Sequence, residues 1–283
     1  MSEQQKPHLV KSESVCSIRP AEDVDERYRA PALDKGLDIL EALAATEIGL
    51  TQAEVAKALD RSPSEIYRML DRLVRRGYVV RSTSERYELS LKLFTLAHRH
   101  APRRRLVALA VPVMRRFAQA AEQSCHLTMF DRGRVVVVAQ LDAPGYFGLA
   151  IRVGSQVPLF GTGSGHVLLA FQTAQERTFM LGEHAASTGE TAPDGLEDRL
   201  ARLRKRGYER MESRQSRGVT NLAAPVLGPD ASVVAAMSCA FLAHVDNMRP
   251  NVTRAATLLT QTAAELTGLA GGQIVERRGG IRP

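Results

Sequence analysis

The sequence contains no tryptophan, few other aromatic residues and few cysteines, and these shortages exclude several kinds of site. Its three cysteines, Cys16, Cys125 and Cys239, lie far apart in the 283 residues and form no CxxC pair. This pattern supports neither a disulfide framework nor a metal site, and it favours a reducing compartment. The polar N-terminus has no apolar signal region, and no run approaches the roughly 18 apolar residues that span a membrane. We therefore expect a soluble cytoplasmic protein without membrane contact, metal or other cofactor.

Motifs for catalysis are also lacking. Ser164 lies in the glycine-rich stretch Gly161–Gly165, but the GxSxG motif of hydrolases needs glycine where Thr162 and His166 stand. The same stretch lacks the GK[ST] ending of a P-loop and the third glycine of a dinucleotide-binding loop. We expect no catalytic residue. With only 8 Phe and 6 Tyr, an aromatic cage for a ligand is not obvious, and the nearest candidates are Tyr146, Phe147 and Phe160.

Positive charge is present in excess, and it is concentrated in one segment. The chain has a net charge of +7 and a pI near 9.6. Residues 61–105 contain twelve Lys and Arg against four acids, a local net charge of +8, so the remainder is close to neutral. A concentrated basic segment favours nucleic acid as the partner.

The basic segment overlaps a helix-turn-helix pattern followed by a short β hairpin. The leucines of residues 32–45 have the spacing of one buried helix face, and Thr51 to Glu54 form a capping box at the start of a short helix. A second helix begins at Ser62, with Pro63 in its first turn and Glu65 three residues after the cap, and it ends at Gly77. The leucines of the first helix are Leu33, Leu37, Leu40 and Leu43.

This arrangement predicts a winged helix-turn-helix whose second helix enters the major groove of double-stranded DNA. Arg68 can pair with guanine or form an ion pair with Glu65 or Asp71, and Glu65 can serve the helix cap rather than a base. The candidates for contact at the helix start and with bases are Ser62, Ser64, Glu65, Tyr67 and Arg68. The candidates for phosphate contact are Arg72, Arg75, Arg76, Arg81, Arg86 and Lys92.

The remainder of the chain predicts an α+β domain with one antiparallel sheet. A helix is expected from about Leu106 to Gln123, starting near Val111 or kinked at Pro112. A helix is also expected from His166 to Phe171, after the glycine-rich stretch. The expected strands are 126–130, 134–141, 146–153, 220–227 and 232–241, and the other expected helices are 196–206 and 249–269.

Several motifs in this order resemble the IclR (isocitrate lyase regulator) family of bacterial transcription factors. They are YRML at 67–70, YEL at 87–89, RVGSQVPL at 152–159, the glycine-rich stretch leading into VLLAF, and GVTNLAAPVLGPD at 218–230. The resemblance covers about residues 32–269. It implies an N-terminal winged helix-turn-helix and a C-terminal GAF-like domain that binds a small organic acid, often aromatic. It also implies a homodimer or a dimer of dimers that controls a catabolic operon.

The resemblance further implies an effector site between the sheet and the glycine-rich stretch. His166 departs from the lysine or arginine that is common after that stretch, and Asn221 and Ala240 differ from some members. The site residues carried over by motif are Thr162, Gly163, Ser164, Met211, Glu212, Val219, Asn221, Ser238 and Ala240. Cys239, which lies among them, is expected to fill the core rather than to sense redox state.

The predicted organisation has five parts: a flexible tail at 1–30, the DNA-binding domain at 31–90, a linker helix at 91–105, the effector and oligomerisation domain at 106–271, and a tail at 272–283. The linker is the expected route by which an effector changes the spacing of two DNA-binding domains in a dimer. The alternative is an architectural or dimeric DNA-binding protein with no effector.

Overall fold

The computed structural model describes residues 30–99, 101–243 and 250–273. Nearly all of the predicted tail at 1–30 and most of the tail at 272–283 lie outside these ranges. Within the described residues, no helix is long and apolar enough to cross a membrane. The same residues contain no group of three or more His, Cys, Asp or Glu side chains placed to hold a metal ion.

Three helices and a two-stranded hairpin form the N-terminal unit. Its core lies where the helices meet the hairpin and includes Ile39, Val55, Ile66, Leu70 and Tyr87. The fold is therefore the predicted winged helix-turn-helix. The elements are α1 (Pro31–Ala44), α2 (Gln52–Ala58), α3 (Pro63–Arg75), β1 (Val79–Arg81) and β2 (Tyr87–Leu89).

The predicted buried face of α1 is wrong at its first two leucines. Leu33 and Leu37 are exposed, whereas Ile39 and Leu43 are buried against α2 and α3. The buried face of α1 passes through Ile39 and Leu43, and Leu33 and Leu37 lie to one side of it. Two leucines of α1 are consequently free to face a partner.

Two helices connect the N-terminal unit to the larger domain: α4 (Lys92–Arg99) and α5 (Ala101–Ala121). The expected start of the second helix near Leu106 or Val111 is wrong, since α5 begins at Ala101 and continues across Pro112. Pro102 lies in its first turn, where a proline costs no hydrogen bond because that amide has no partner within the helix.

The larger domain is built on one antiparallel sheet with the strand order β5-β4-β3-β8-β7-β6. Its strands are β3 (Cys125–Asp131), β4 (Arg134–Leu141), β5 (Gln156–Val157), β6 (Glu209–Glu212), β7 (Val219–Leu227) and β8 (Val233–Leu242). Its remaining helices are α6 (Gly163–Ala170), α7 (Ala174–Thr188), α8 (Leu196–Arg206) and α9 (Val252–Leu269).

The two faces of the sheet have separate cores. On one face, α5 and α9 pack against residues such as Leu127, Leu222 and Met237. On the other face, α6 and α8 pack against Ala223 and Ala236. The fold is the predicted α+β arrangement, and the second face, which we call the α6 face, holds the start of α6.

The predicted strand at 146–153 is wrong. Tyr146, Phe147 and Val153 are exposed, and the short strand of this region is β5, further along the chain. The segment comes close to the loop before β3 at one point, where a Cβ on Gly148 would lie 2.9 Å from the Oγ of Ser124. Two elements were also missed by sequence, α7 and β6.

The pairing of β3 with β4 contains an irregularity that determines which of their side chains share a face. Arg132 and Gly133 form its turn, with φ angles of 45° and 76° in the left-handed region. The pairing then shifts by one residue, because Thr128 pairs with Val137 whereas Leu127 pairs with Ala139, leaving Val138 as a β-bulge. Beyond the bulge, His126 lies opposite Gln140.

Candidate functional site

The exposed face of α3 contains most of the side chains predicted to contact DNA. Ser64, Tyr67, Arg68, Arg72 and Arg75 are exposed at the three- and four-residue spacing of one helix face. Tyr67 is 55% exposed although its ring is large. Opposite them, Ile66 and Leu70 are buried, so packing of the core fixes which way this face points.

Glu65 does not belong to that face. Its carboxylate accepts a hydrogen bond from Lys35 of α1 at 2.7 Å and one from the Ser62 hydroxyl at 3.0 Å. These contacts, the lysine first, lower the pKa of Glu65 to about 2. Ser62 stands at the N-cap of α3, but its side chain makes no capping hydrogen bond, so that part of the prediction is wrong. Glu65 joins α3 to α1.

The acidic neighbours of Arg68 on α3 form ion pairs with other residues. Asp71 forms an ion pair with Arg75 at 2.9 Å, and Glu65 is held by Lys35. Among the described residues, Arg68 therefore has no ion-pair partner, and the alternative in which it pairs along the helix is not formed. Arg72 and Arg76 also have no acidic partner within the described ranges.

The other predicted phosphate contacts have partners within the N-terminal unit. Arg86 donates to the carbonyl oxygen of Gly49 at 2.9 Å and to Glu54 at 3.0 Å. Glu54 is the acid of the capping box that α2 forms with Thr51, so Arg86 fastens β2 to the start of α2. Arg81 pairs with Glu85, and Lys92 donates to the carbonyl oxygen of Arg76 beside the Tyr78 ring.

In the larger domain, the start of α6 is capped by Thr162. The Thr162 oxygen accepts from the backbone N–H of Gly165 at 3.1 Å, and its hydroxyl donates to the carbonyl oxygen of Pro158 at 2.7 Å. Since that hydroxyl has one hydrogen, the Ser164 hydroxyl must be the donor in the 3.1 Å contact between the two side chains. The first-turn amides of Gly163 and Ser164 have no partner within the helix.

Glycine is required at Gly165, and there is little room for a larger residue at Gly163, because the helix start lies close to its neighbours. A Cβ on Gly165 would lie 2.0 Å from the carbonyl oxygen of Leu159. A Cβ on Gly163 would lie 3.3 Å from the Cβ of Ala223 on β7. The start of α6 thus rests directly on the sheet.

His166, Glu209 and Arg206 anchor this helix start. The His166 ring is buried, with Nε2 3.0 Å from the carbonyl oxygen of Phe160 and Nδ1 3.2 Å from a Glu209 oxygen. The other Glu209 oxygen accepts from Arg206 at 2.8 Å and from the Arg210 amide at 3.0 Å. Burial alone raises the pKa of Glu209, but the hydrogen bond and charge of His166, with Arg206, lower it overall.

The geometry of this anchor fixes one of its hydrogens. A carbonyl oxygen can only accept, so Nε2 of His166 carries a hydrogen towards Phe160. Glu209 binds both His166 and Arg206, and this ties β6 and the end of α8 to the start of α6.

On the sheet, the effector-site residues that the family motifs predict lie on the α6 face, with one exception. Along β7, the two-residue spacing puts Val219, Asn221 and Ala223 on the same face. Asn221 pairs with Met211 of β6 on one side and with Ala240 of β8 on the other. Cross-strand partners share a face. Glu212 instead pairs with Thr220 on the opposite face and accepts from its hydroxyl, so it is not brought to the others.

Within this set, the hydroxyl of Ser238 is the group whose hydrogen bonds are least satisfied. It is 4% exposed, and its hydroxyl has no hydrogen-bond partner among the described residues. Its cross-strand neighbour is Ala223, the residue beneath Gly163. A buried hydroxyl without a partner is costly, because folding removes it from water without compensation.

Two polar residues on the same face were missed by sequence. His126 pairs with Ser238 on one side and Gln140 on the other, so Gln140, His126 and Ser238 form a line across three strands. We call these three residues the polar row. Burial lowers the pKa of His126 to about 4, which makes it neutral. The Gln140 carbonyl oxygen is buried without a partner among the described residues.

A groove of about 620 Å³ lies on the other side of the sheet, at the start of α5 and the end of α9. Its walls include Leu106, Met129, Val234 and Leu269, with Arg105 at one side. It contains none of the residues carried over by motif. The unpartnered polar atoms lie on the α6 face, and we therefore place the candidate effector site there.

The cysteines near the site are inert. Burial raises the pKa of Cys125 to about 12, and burial together with Cys125 raises the pKa of Cys239 as well. Both side chains lie in the core against α5 and α9. The expectation that Cys239 fills the core agrees with this placement.

Family models match both parts of the chain. The IclR helix-turn-helix domain matches residues 32–83, and the C-terminal domain of bacterial IclR transcriptional regulators matches residues 98–267. The chain belongs to the IclR family. Its relatives include the transcriptional regulator KdgR of Escherichia coli K12, which is 32% identical over 213 residues, 73% of this chain and 80% of KdgR.

Solved structures of IclR proteins have the same fold. An IclR homolog from Microbacterium hydrocarbonoxydans in complex with 4-hydroxybenzoate is 21% identical, with a TM-score of 0.69 over 84% of this chain and 98% of that chain. An IclR-type regulator from Alicyclobacillus acidocaldarius is 25% identical, with a TM-score of 0.66 over 86% and 100%. These likenesses agree with the fold of the chain, and the family models and the relative KdgR support transcriptional regulation as the role of the family.

Proposed function

We propose that this IclR-family regulator binds a specific operator and that a small carboxylic acid, bound on the α6 face, controls this binding. The observation that carries the proposal is the Ser238 hydroxyl, which is buried without a partner among the described residues and lies one strand away from the capped start of α6. A site of this kind takes a ligand that completes its hydrogen bonds.

The amides at the start of α6 support a carboxylate as the ligand. The first-turn amides of Gly163 and Ser164 have no partner within the helix and lie at the positive end of its dipole, so they favour an anion. The Ser164 hydroxyl is already donated to Thr162, so the amides and Ser238 are the available donors. The 4-hydroxybenzoate complex of the Microbacterium homolog supports an aromatic acid as one candidate.

On DNA, α3 is proposed to enter the major groove. Arg68 and Tyr67 contact base edges, because they are exposed at the centre of the helix face and Arg68 has no acidic partner among the described residues. Arg72 and Arg76 contact phosphates, whereas Arg86 acts first as a bridge to Glu54.

A homodimer is proposed to bind a pseudo-palindromic operator in a catabolic operon. One module contacts few base pairs, so two are needed for specificity. Exposed leucines on two helices support a self-association surface: Leu33 and Leu37 on α1, and Leu93 and Leu96 on α4. Effector binding reaches the DNA-binding domains through the segment from Leu91 to Arg105, by changing their spacing.

The proposal is tested by fluorescence anisotropy on the DNA upstream of the protein's own gene, with scrambled DNA as competitor at physiological salt. A panel of small carboxylates, including benzoate and 4-hydroxybenzoate, is added to the wild type and to Ser238→Val. We expect specific binding that one acid shifts in the wild type but not in the variant. Specific binding that no acid changes would favour the alternative regulator without an effector.

A further inference from the structure

The polar row extends beyond the part of the site that a carboxylate occupies. Its Ser238 end lies beside Ala223 and the start of α6, whereas His126 and Gln140 lie one and two strands further across the sheet. Neighbouring strands are about 4.8 Å apart, so the backbones at Ser238 and Gln140 are separated by about 10 Å. A short acid bound at α6 reaches only one end of the row.

The amide of Gln140 has a fixed orientation. Its nitrogen donates to the carbonyl oxygen of Leu141 and to the Asp142 carboxylate, each at 3.2 Å. Both partners are acceptors, so the nitrogen must face them and the carbonyl oxygen must point away. That oxygen is buried without a partner among the described residues, and it needs a hydrogen-bond donor.

His126 restricts the chemistry of that donor. The ring is 8% exposed and neutral, so it offers no charge for a second carboxylate. A neutral imidazole has one N–H and one bare nitrogen. A hydroxyl group fits both residues, because it can donate to the Gln140 oxygen while its own oxygen accepts from His126. A second carboxylate would place its oxygens against the Gln140 acceptor.

We infer that the effector is a hydroxylated carboxylic acid, with the hydroxyl several bonds from the carboxylate and held by Gln140 and His126. This inference rests on the proposed function, in which the carboxylate lies at the start of α6. It adds a second polar contact that makes the site discriminate between acids of similar size and charge.

Paired ligands test the inference on the full chain by isothermal titration calorimetry. One set consists of ω-hydroxy acids of three to six carbons and their unsubstituted parents, and the other of 4-hydroxyphenylacetate and phenylacetate. In at least one pair we expect the hydroxylated acid to bind at least about tenfold more tightly, because the parent leaves the Gln140 oxygen unpaired. Equal affinity within every pair overturns the inference but leaves the proposed carboxylate site standing.

Variants assign the effect to Gln140. Gln140→Leu should abolish the difference in affinity between the preferred hydroxy acid and its parent, because neither ligand then leaves a carbonyl oxygen unpaired. Gln172→Leu is the matched control: it removes another glutamine hydrogen bond, to the Val233 carbonyl oxygen, and should keep the preference. A preference that survives in Gln140→Leu would contradict the assignment. Binding of no acid at all would contradict the proposed function itself, and the wild-type pairs decide even where a variant fails to fold.

Discussion

The buried histidine of the polar row should make the stability of the larger domain depend on pH. Burial lowers the pKa of His126 from 6.5 to about 4, so the folded protein holds this ring neutral. Below pH 6.5 the unfolded chain takes up a proton that the folded chain does not. The contribution of His126 to the free energy of unfolding is therefore fully present above about pH 6.5, and it is lost progressively as the pH falls towards 4.

The size of the loss follows from the difference in pKa. Each pKa unit corresponds to about 1.4 kcal/mol, so His126 accounts for about 3 kcal/mol in all and about 2 kcal/mol between about pH 7.5 and about pH 5. This is a large fraction of the stability of an ordinary domain. His126→Leu, which cannot titrate, should lose that part of the pH dependence.

Urea unfolding of the full chain, followed by circular dichroism over this pH range, measures the effect. The quantity to compare is the free energy of unfolding of the wild type minus that of His126→Leu, which should fall by about 2 kcal/mol on acidification. Thr128→Val, on the same strand and face, is the control, because it removes a buried hydrogen bond to the Ala236 carbonyl oxygen without removing a titrating group. Parallel curves for wild type and His126→Leu would refute the reasoning.

Three further changes test other parts of the structure. Gly165→Ala should destabilise the larger domain by about 1–3 kcal/mol in thermal unfolding, because its Cβ would meet the Leu159 carbonyl oxygen. Gly182→Ala in α7 is the control and should not destabilise the domain, since the added Cβ meets nothing within 4 Å. Arg68→Ala should relax the base preference at one position by about 1–3 kcal/mol in competition binding, whereas uniform weakening across sequences would indicate a phosphate contact. Leu93→Asp should shift the protein towards monomer in light scattering. Ile48→Asp, at a more exposed position outside α1 and α4, should not, and unchanged mass in Leu93→Asp would argue against the α4 surface.

The DNA-binding unit could be predicted well because its signals are local. The capping box at Thr51, the proline at the start of α3 and the left-handed Gly77 each fix a helix boundary from neighbouring residues alone. Contacts between distant parts of the chain could not be predicted in the same way. Glu65 contacts the cap residue Ser62, as the local pattern indicates, but no local pattern shows that Lys35, thirty residues earlier, also holds it.

In the larger domain, strand positions were predicted better than the connecting segments. The strand at 134–141 was predicted with its observed bounds, whereas α7 was missed because its burial is slight: Met180 and His184 are buried but Phe179 is exposed. A weak apolar face gives a weak helical period. The segment at 146–153 has the composition of a strand, yet its large side chains Tyr146, Phe147 and Val153 are exposed and it pairs with no other strand among the described residues.

The polar row shows why part of the candidate site could not be predicted from the sequence. Counting back from the turn at Arg132 and Gly133, a regular hairpin pairs His126 with Ala139 and puts Gln140 on the opposite face. The bulge at Val138 shifts the register by one residue, so Gln140 comes to lie beside His126 on the α6 face. A single extra residue therefore decides whether Gln140 joins the polar row. Since a bulge leaves no clear mark in one sequence, the residues at the start of α6 could be proposed from the family motifs, whereas His126 and Gln140 could not.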